Sequence, residues 1–148
     1  MGVSIDPLDI VGRTTDAAFA TDSQGRIIIW NRAAERFLGY TAARVLGKPC
    51  HEVVCGRDVF GNRYCTEACA LQAIARRREP VRHFEMEVQK ESGEKMWASV
   101  STIIVPESRP PGYALIHVLQ PMDRRREAEH LVRQILASSP APTRPSAL

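Results

Sequence analysis

The sequence predicts an α+β fold, in which a five-stranded antiparallel sheet carries short helices on one face and is followed by a C-terminal helix. Three observations support this class. Two apolar runs flank a turn near the start, several short segments with helical spacing follow, and three further extended runs come next. Strands joined by short turns pair as antiparallel neighbours. This order of elements fits an antiparallel sheet with the intervening helices collected on one face.

The first elements are a leading helix and a hairpin. Residues 6–15 have Pro7 directly after a candidate capping residue, Asp6, and apolar residues at roughly helical spacing. We interpret residues 1–13 as a flanking segment that contains this helix. Residues 17–21 and 26–30 are apolar runs around a turn that contains Gly25, which predicts a β-hairpin.

Short helices are predicted after the hairpin. Over residues 33–46, Ala34, Phe37 and Leu38 share one helical face, Gly39 interrupts the helix, and a second short helix follows Thr41. Residues 48–69 have no clear period and contain all four cysteines. Residues 70–78 again have helical spacing, with Leu71 and Ile74 predicted to face inward.

Three extended runs complete the predicted sheet. Residues 81–91 and 95–105 flank a turn at 92–93, and Phe84, Met86 and Val88 alternate with charged neighbours. A second turn at 109–112 leads into a last strand over residues 113–119. The sheet and its helices therefore occupy residues 14–122.

A charged helix is predicted over residues 123–137. Its apolar residues recur at spacings of three and four and form a narrow stripe, made of Leu131, Val132, Ile135 and Leu136. Because a helix this short is marginal alone in water, the stripe needs a partner surface. We expect a homodimer through this helix; the alternative is that it folds back on its own domain. The Pro-rich residues 138–148 are expected to be a disordered tail or linker.

Composition restricts the class of protein. Of the 148 residues, 44% are hydrophobic and 25% are charged, a balance typical of globular proteins, and no apolar run is long enough to span a bilayer. The first residues lack the pattern of a secretory signal, so we expect a cytoplasmic protein that does not contact a membrane. Two arginine runs, at 76–78 and 124–126, supply much of the net charge of +3, but no nucleic-acid-reading motif accompanies them. Direct nucleic-acid binding is therefore not expected.

Residues 18–41 resemble the first half of the PAS family. They combine a hairpin, Asn31 at the strand end, Ala-Ala-Glu at 33–35 and Gly-Tyr-Thr at 39–41, and residues 93–106 and 112–120 are similar to the closing strands of that fold. The resemblance implies a sensory module that holds a ligand or cofactor, or simply dimerises. It also implies an output kinase or transcription-regulator domain as partner, in the same or another chain.

The cysteine segment resembles a cysteine-bearing subgroup of PAS domains from bacterial sensor kinases and regulators. Here the last pair is Cys65-Thr-Glu-Ala-Cys69, which differs from the Cys-x-x-Cys-Pro typical of that subgroup. We predict that Cys50, Cys55, Cys65 and Cys69 form a metal or redox site, because four soft thiolates can bind zinc or hold an iron–sulfur cluster. Their irregular spacing favours the cluster over zinc.

Other interpretations of the cysteines and histidines stay open. The cysteines can pack as small apolar residues in a cofactor-free interaction module, or form a dithiol–disulfide switch. His51, beside Cys50, is a candidate ligand. His83 and His117 lie on predicted strands, where either can project into the cavity as an axial ligand to haem. No nucleophile elbow, phosphate loop or kinase signature is present, so we do not expect an enzyme.

Overall fold

The computed structural model of the chain describes residues 7–67, 69–106, 113–122 and 124–138. Within these ranges one antiparallel sheet contains five strands in the order β2-β1-β5-β4-β3. The strands are β1 (Ala17–Thr21), β2 (Ile27–Trp30), β3 (Phe84–Gln89), β4 (Lys95–Pro106) and β5 (Tyr113–Pro121). The predicted fold class is confirmed. The turn predicted at 109–112 lies outside the described residues.

Six helices lie in the described ranges, and four of them separate β2 from β3. They are α1 (Pro7–Val11), α2 (Arg32–Leu38), α3 (Ala42–Val45), α4 (Cys50–Val53), α5 (Ala70–Arg76) and α6 (Arg124–Ser138). The sequence did not predict α4, because a single helical turn is too short to establish a period. In α5 Gln72 and Ala75 are buried, and the predicted inward residues Leu71 and Ile74 are half-buried. Leu71 packs against the core cluster of Ala75, Tyr113 and Leu115.

The two faces of the sheet have different coverings. Phe19 and Val100 belong to the main core, together with Leu38 of α2 and Val54, which follows α4. On the opposite face, Ala18 and its neighbours contact α1. This division follows from the two-residue period of a strand, which sends successive side chains to opposite faces.

The C-terminal helix α6 is attached to the second face near β3 and β4. His130 is 3% exposed; it forms an ion pair with Glu85 and its ring lies 4.9 Å from that of Trp97. The stripe predicted for dimerisation faces elsewhere: Leu131 is half-buried, and Val132, Ile135 and Leu136 are 56%, 51% and 69% exposed.

No helix in the described ranges has the length and apolar character that a membrane crossing requires. Asp123 and the tail beyond Ser138 lie outside those ranges.

Asn31 joins the separate elements at the end of β2. Its side-chain oxygen accepts hydrogen bonds from the backbone N–H groups of Ala18 (3.0 Å) and Ala34 (2.8 Å). Its amide nitrogen donates to the carbonyl groups of Val11 and Asp16, both at 3.0 Å. The residue therefore caps α2 and, at the same time, ties α1 and β1 to it. Since it is 6% exposed, water cannot replace these bonds easily.

Asn31→Ala is expected to lower the free energy of unfolding by roughly 3 kcal/mol, because it removes a helix cap and leaves buried backbone groups without partners. Urea denaturation followed by circular dichroism measures the change. Asn62→Ala is the control, since the exposed side chain of Asn62 makes one hydrogen bond to Asp58; its cost should stay within about 0.5 kcal/mol. Equal costs for the two variants would contradict the role assigned to Asn31.

Candidate functional site

Cys50 is positioned by backbone hydrogen bonds between its own segment and the hairpin. Ile27 N–H donates to the carbonyl of Lys48 (3.0 Å), and the N–H of Cys50 donates to the carbonyl of Gly25 (2.8 Å). The helix α4 begins at Cys50. The segment that leads into α4 is thus fastened along β2, at one edge of the sheet.

Cys65 is positioned at the opposite edge. Arg57 and Glu87 exchange two backbone hydrogen bonds of 2.9 Å, which fasten the segment to β3, and the carbonyl of Gly56 accepts from the N–H of Cys65 (3.2 Å). A side chain at Gly56 would overlap Met86 Sδ, and its Cβ would lie 2.9 Å from Cys65 Sγ. Only glycine therefore allows the thiol and the thioether to approach the backbone so closely.

A cavity of about 220 Å³ lies between these two segments and the central strands. Its walls come from the hairpin, the start of α4, the residues that precede α5, and the cavity-facing side of β1 and β5. The lining residues with thiol, imidazole, charged or buried polar side chains include Cys50, His51, Cys65, Cys69, Arg26, Glu67, Gln72, His117 and Thr21. The fold thus brings together residues that are up to 96 positions apart in the sequence.

Three of the four predicted cysteines line this cavity, and Cys55 does not. Cys55 has a left-handed backbone, with φ of 52°, and its thiol donates to the carbonyl of Glu52 (3.4 Å). The charges of Cys65, Cys69 and Cys55 each contribute to raising the pKa of Cys50.

Burial keeps the two inner thiols protonated. Desolvation, followed by the charges of the other cysteines, raises the pKa of Cys50 well above its ordinary range. Desolvation also raises the pKa of Cys65 to about 11, although a hydrogen bond with the backbone of Gly56 and the positive charge of Arg63 both act to lower it. Neither thiol is a thiolate at neutral pH, so neither is a ready nucleophile without a bound metal.

The three candidate histidines have different positions. His51 lines the cavity and its side chain is 25% exposed. His83 lies just before β3, is exposed, and hydrogen-bonds Ser99 rather than facing the cavity. His117 is buried on β5, lines the cavity, and shares a 3.1 Å hydrogen bond between Nδ1 and Thr102 Oγ1. Burial lowers the pKa of His117 to about 4, so its ring is neutral at physiological pH.

Two polar residues of the cavity were not identified from the sequence. Thr21 is 1% exposed, and its Oγ1 has no hydrogen-bond partner among the described residues. Gln72 accepts a hydrogen bond from the Tyr113 hydroxyl (2.8 Å) and donates to the Asp22 carbonyl (3.3 Å). Gln72 could have been identified from the sequence, because it is a polar residue within an otherwise apolar helical stripe. Thr21 gave no such signal, because threonine is common in strands.

The cavity is not arranged around a single ion. Across the described ranges, no group of three or more His, Cys, Asp or Glu side chains has converged on a point that would hold one metal ion. Three thiols, the imidazoles of His51 and His117, and the carboxylate of Glu67 line a shared space. Thiolate and imidazole groups are ligand types that zinc and other transition metals accept.

Comparisons with known proteins agree with the fold. A protein-family model described as a PAS domain matches residues 15–120. An RNA-binding light-oxygen-voltage receptor has a TM-score of 0.65 and 19% identity, over 87% of this chain and 36% of its own, so the chain spans about a third of that receptor. A PAS domain from a two-component sensor histidine kinase has a TM-score of 0.58 and 12% identity, over 77% of this chain and 91% of its own.

The PAS domain of Bordetella pertussis BvgS has a TM-score of 0.54 and 20% identity, over 88% of this chain and 95% of its own. At these identities the structural likeness establishes the fold alone. A search of curated protein sequences finds no match. The family model covers more than two thirds of the residues, and its range contains the whole sheet but for the last residue of β5. The chain therefore belongs to the PAS domain family.

Proposed function

We propose that this PAS domain is the input module of a redox- or oxygen-responsive regulator, and that its cavity holds an iron–sulfur cluster. The observation that carries the proposal is the convergence of Cys50, Cys65 and Cys69 on one cavity, from segments fastened to opposite edges of the sheet. When bound, such a cluster supplies a centre whose charge and integrity respond to oxidation. The role of the domain is sensory, with no catalytic step of its own.

The donor set and the size of the cavity support a cluster over zinc or haem. A structural zinc site closes four ligands about 2.0–2.3 Å from one ion, which leaves no cavity, and the described side chains do not converge in this way. Pockets for drug-sized ligands have about 300–1,000 Å³, so a cavity of about 220 Å³ is small for haem. Thiolates suit iron–sulfur clusters, and three cysteines line this cavity.

A dithiol–disulfide switch is less well supported. Thiol–disulfide exchange proceeds through a thiolate, and redox-sensing cysteines have a low pKa and are accessible. Cys50 and Cys65 have raised pKa values because they are buried. Oxidation of this pair at neutral pH would therefore be slow.

Contacts of α5 offer a route by which the cavity can influence the rest of the chain. Gln72 lines the cavity and also binds Tyr113 on β5 and the hairpin turn at Asp22. The N–H of Met122, which follows β5, donates to the Trp97 carbonyl (3.0 Å), close to where α6 is attached. We propose that a change in the cavity shifts α5 and β5 and reaches α6, which leads to an output kinase or transcription-regulator domain in the same or another chain.

A second candidate function is self-association through α6. With His130 turned toward the sheet, Val132 and Leu136 remain 56% and 69% exposed. Their spacing of four residues places both on one helical face. We propose a second copy of the chain as the occupant, because an apolar stripe can pair with itself across a two-fold axis. This candidate does not depend on the content of the cavity.

Anaerobic reconstitution with ferrous iron and sulfide should load the wild-type protein and produce thiolate-to-iron charge-transfer absorption. Cys65→Ser and Cys69→Ser should lose most of the iron, because each removes a ligand that lines the cavity. Val59→Ala is the control, since this half-buried residue lies in the same segment but outside the cavity lining. Elemental analysis that finds zinc without iron, or neither, in the wild type would contradict the cluster.

The metal-free domain should lose stability as the pH rises from about 8 to about 11. The folded state holds the proton of Cys65 up to a pKa of about 11, whereas the unfolded state releases it near its ordinary value of about 8.5. The stability that the protonated Cys65 thiol contributes is therefore complete below about pH 8 and is lost as the pH rises through the pKa of the folded state. Urea midpoints of the wild type and Cys65→Ala measure this: the variant should have the shallower decline, and identical slopes would contradict the assignment.

Val132→Asp and Leu136→Asp should each convert a dimer to a monomer, because a charge placed in an apolar interface loses its hydration. Light scattering over a range of protein concentrations measures the mass. Gln134→Asp, at an exposed polar position of α6, should leave the mass unchanged. A wild type that remains monomeric at the highest concentration would exclude self-association.

A further inference from the structure

The cavity wall opposite the cysteines is formed by neighbouring strands. In the β1–β5 register Phe19 pairs with His117 and Thr21 pairs with Leu115, so the side chains of all four lie on the same face of the sheet. Thr21 and His117 are 1% and 7% exposed, and both line the cavity. Two buried polar side chains therefore face the same space as three thiols.

The ring of His117 is held in a defined orientation. Its Nδ1 lies 3.1 Å from the Thr102 hydroxyl, and the ring stacks against Phe19 with a centroid separation of 4.9 Å. When the Thr102 oxygen accepts from Nδ1–H, the lone pair is on Nε2, which is the nitrogen left without a partner in this contact. Histidines that bind metals use the same arrangement, in which the second ring nitrogen donates to an oriented acceptor.

Cys55 is the least suitable of the four cysteines as a ligand. It lies outside the cavity lining, and its thiol already donates to the Glu52 carbonyl. Its backbone has a φ of 52°, a conformation that directs the chain away from the regular helical course of α4. To act as a ligand, the Cys55 thiol would have to give up this hydrogen bond.

From these positions we propose that His117 is the fourth protein ligand of the metal centre, in place of Cys55, so that the donor set is Cys50, Cys65, Cys69 and His117. The inference rests on the function proposed above. Thr102 acts as a positioning residue that sets the tautomer and orientation of the ring.

The decisive experiment uses the wild-type protein, so that folding of a variant is not at issue. The chain is prepared with ¹⁵N-histidine, reconstituted anaerobically with ferrous iron and sulfide, reduced with dithionite, and examined by pulsed electron paramagnetic resonance. A directly bound imidazole should produce a strong ¹⁵N coupling. The coupling should persist in His51→Ala, the control at the other histidine of the cavity, and vanish in His117→Ala.

Iron retention provides an independent measurement. Cys55→Ser should keep its iron within about twofold of the wild type, whereas Thr102→Val should weaken binding roughly tenfold, because it removes only the outer partner of the ring. Thr102→Val preserves the side-chain shape, so it covers the case in which His117→Ala does not fold.

The outcomes separate the two proposals. If the wild type takes up no iron, the proposed function fails and this assignment fails with it. If the wild type binds a cluster without ¹⁵N coupling, or if Cys55→Ser loses the cluster while His117→Ala keeps it, only the assignment of His117 is overturned. A coupling that disappears in His51→Ala would transfer the ligand role to His51.

Discussion

The hydrogen bonding of one amide side chain, that of Asn31, underlies the arrangement of the N-terminal half of the fold. An asparagine can donate two hydrogen bonds and accept two, and Asn31 uses all four on backbone groups of separate segments. Because it is buried, each bond forms in an environment where an unmade bond is costly. The start of α2, the approach of α1 and the position of β1 are therefore set together.

Backbone hydrogen bonds also position the walls of the cavity. Its cysteine segments have little regular structure of their own, but each is fastened to an edge strand, one to β2 and the other to β3. Backbone pairing at both edges satisfies groups that an open sheet would expose. It also holds Cys50 and Cys65 over the central strands. The enclosure that results has a chemical consequence, because it raises the pKa of the Cys50 and Cys65 thiols, lowers that of His117, and so makes the two thiols poor nucleophiles in the metal-free domain.

Much of the architecture could be predicted from sequence patterns. Alternating apolar residues identified the strands, and glycines at positions with positive φ marked their turns, as at Gly25 and Gly93. Prediction failed at α4, because a single helical turn is too short to show a repeating pattern. It also failed at Gln72 in α5, a polar side chain that is buried because it forms a specific hydrogen bond.

By itself, the sequence determined the order of strands and helices, the family, and the soft donor chemistry of the cysteine segment, because these depend on local periodicity and residue type. Only the tertiary structure decided which donors share a space. It brought His117 and Thr21 to the cavity and left Cys55 outside it. It also turned His130 toward the sheet and left Leu136 exposed. These outcomes depend on strand register, edge pairing and helix rotation, which are set by contacts between residues far apart in the chain.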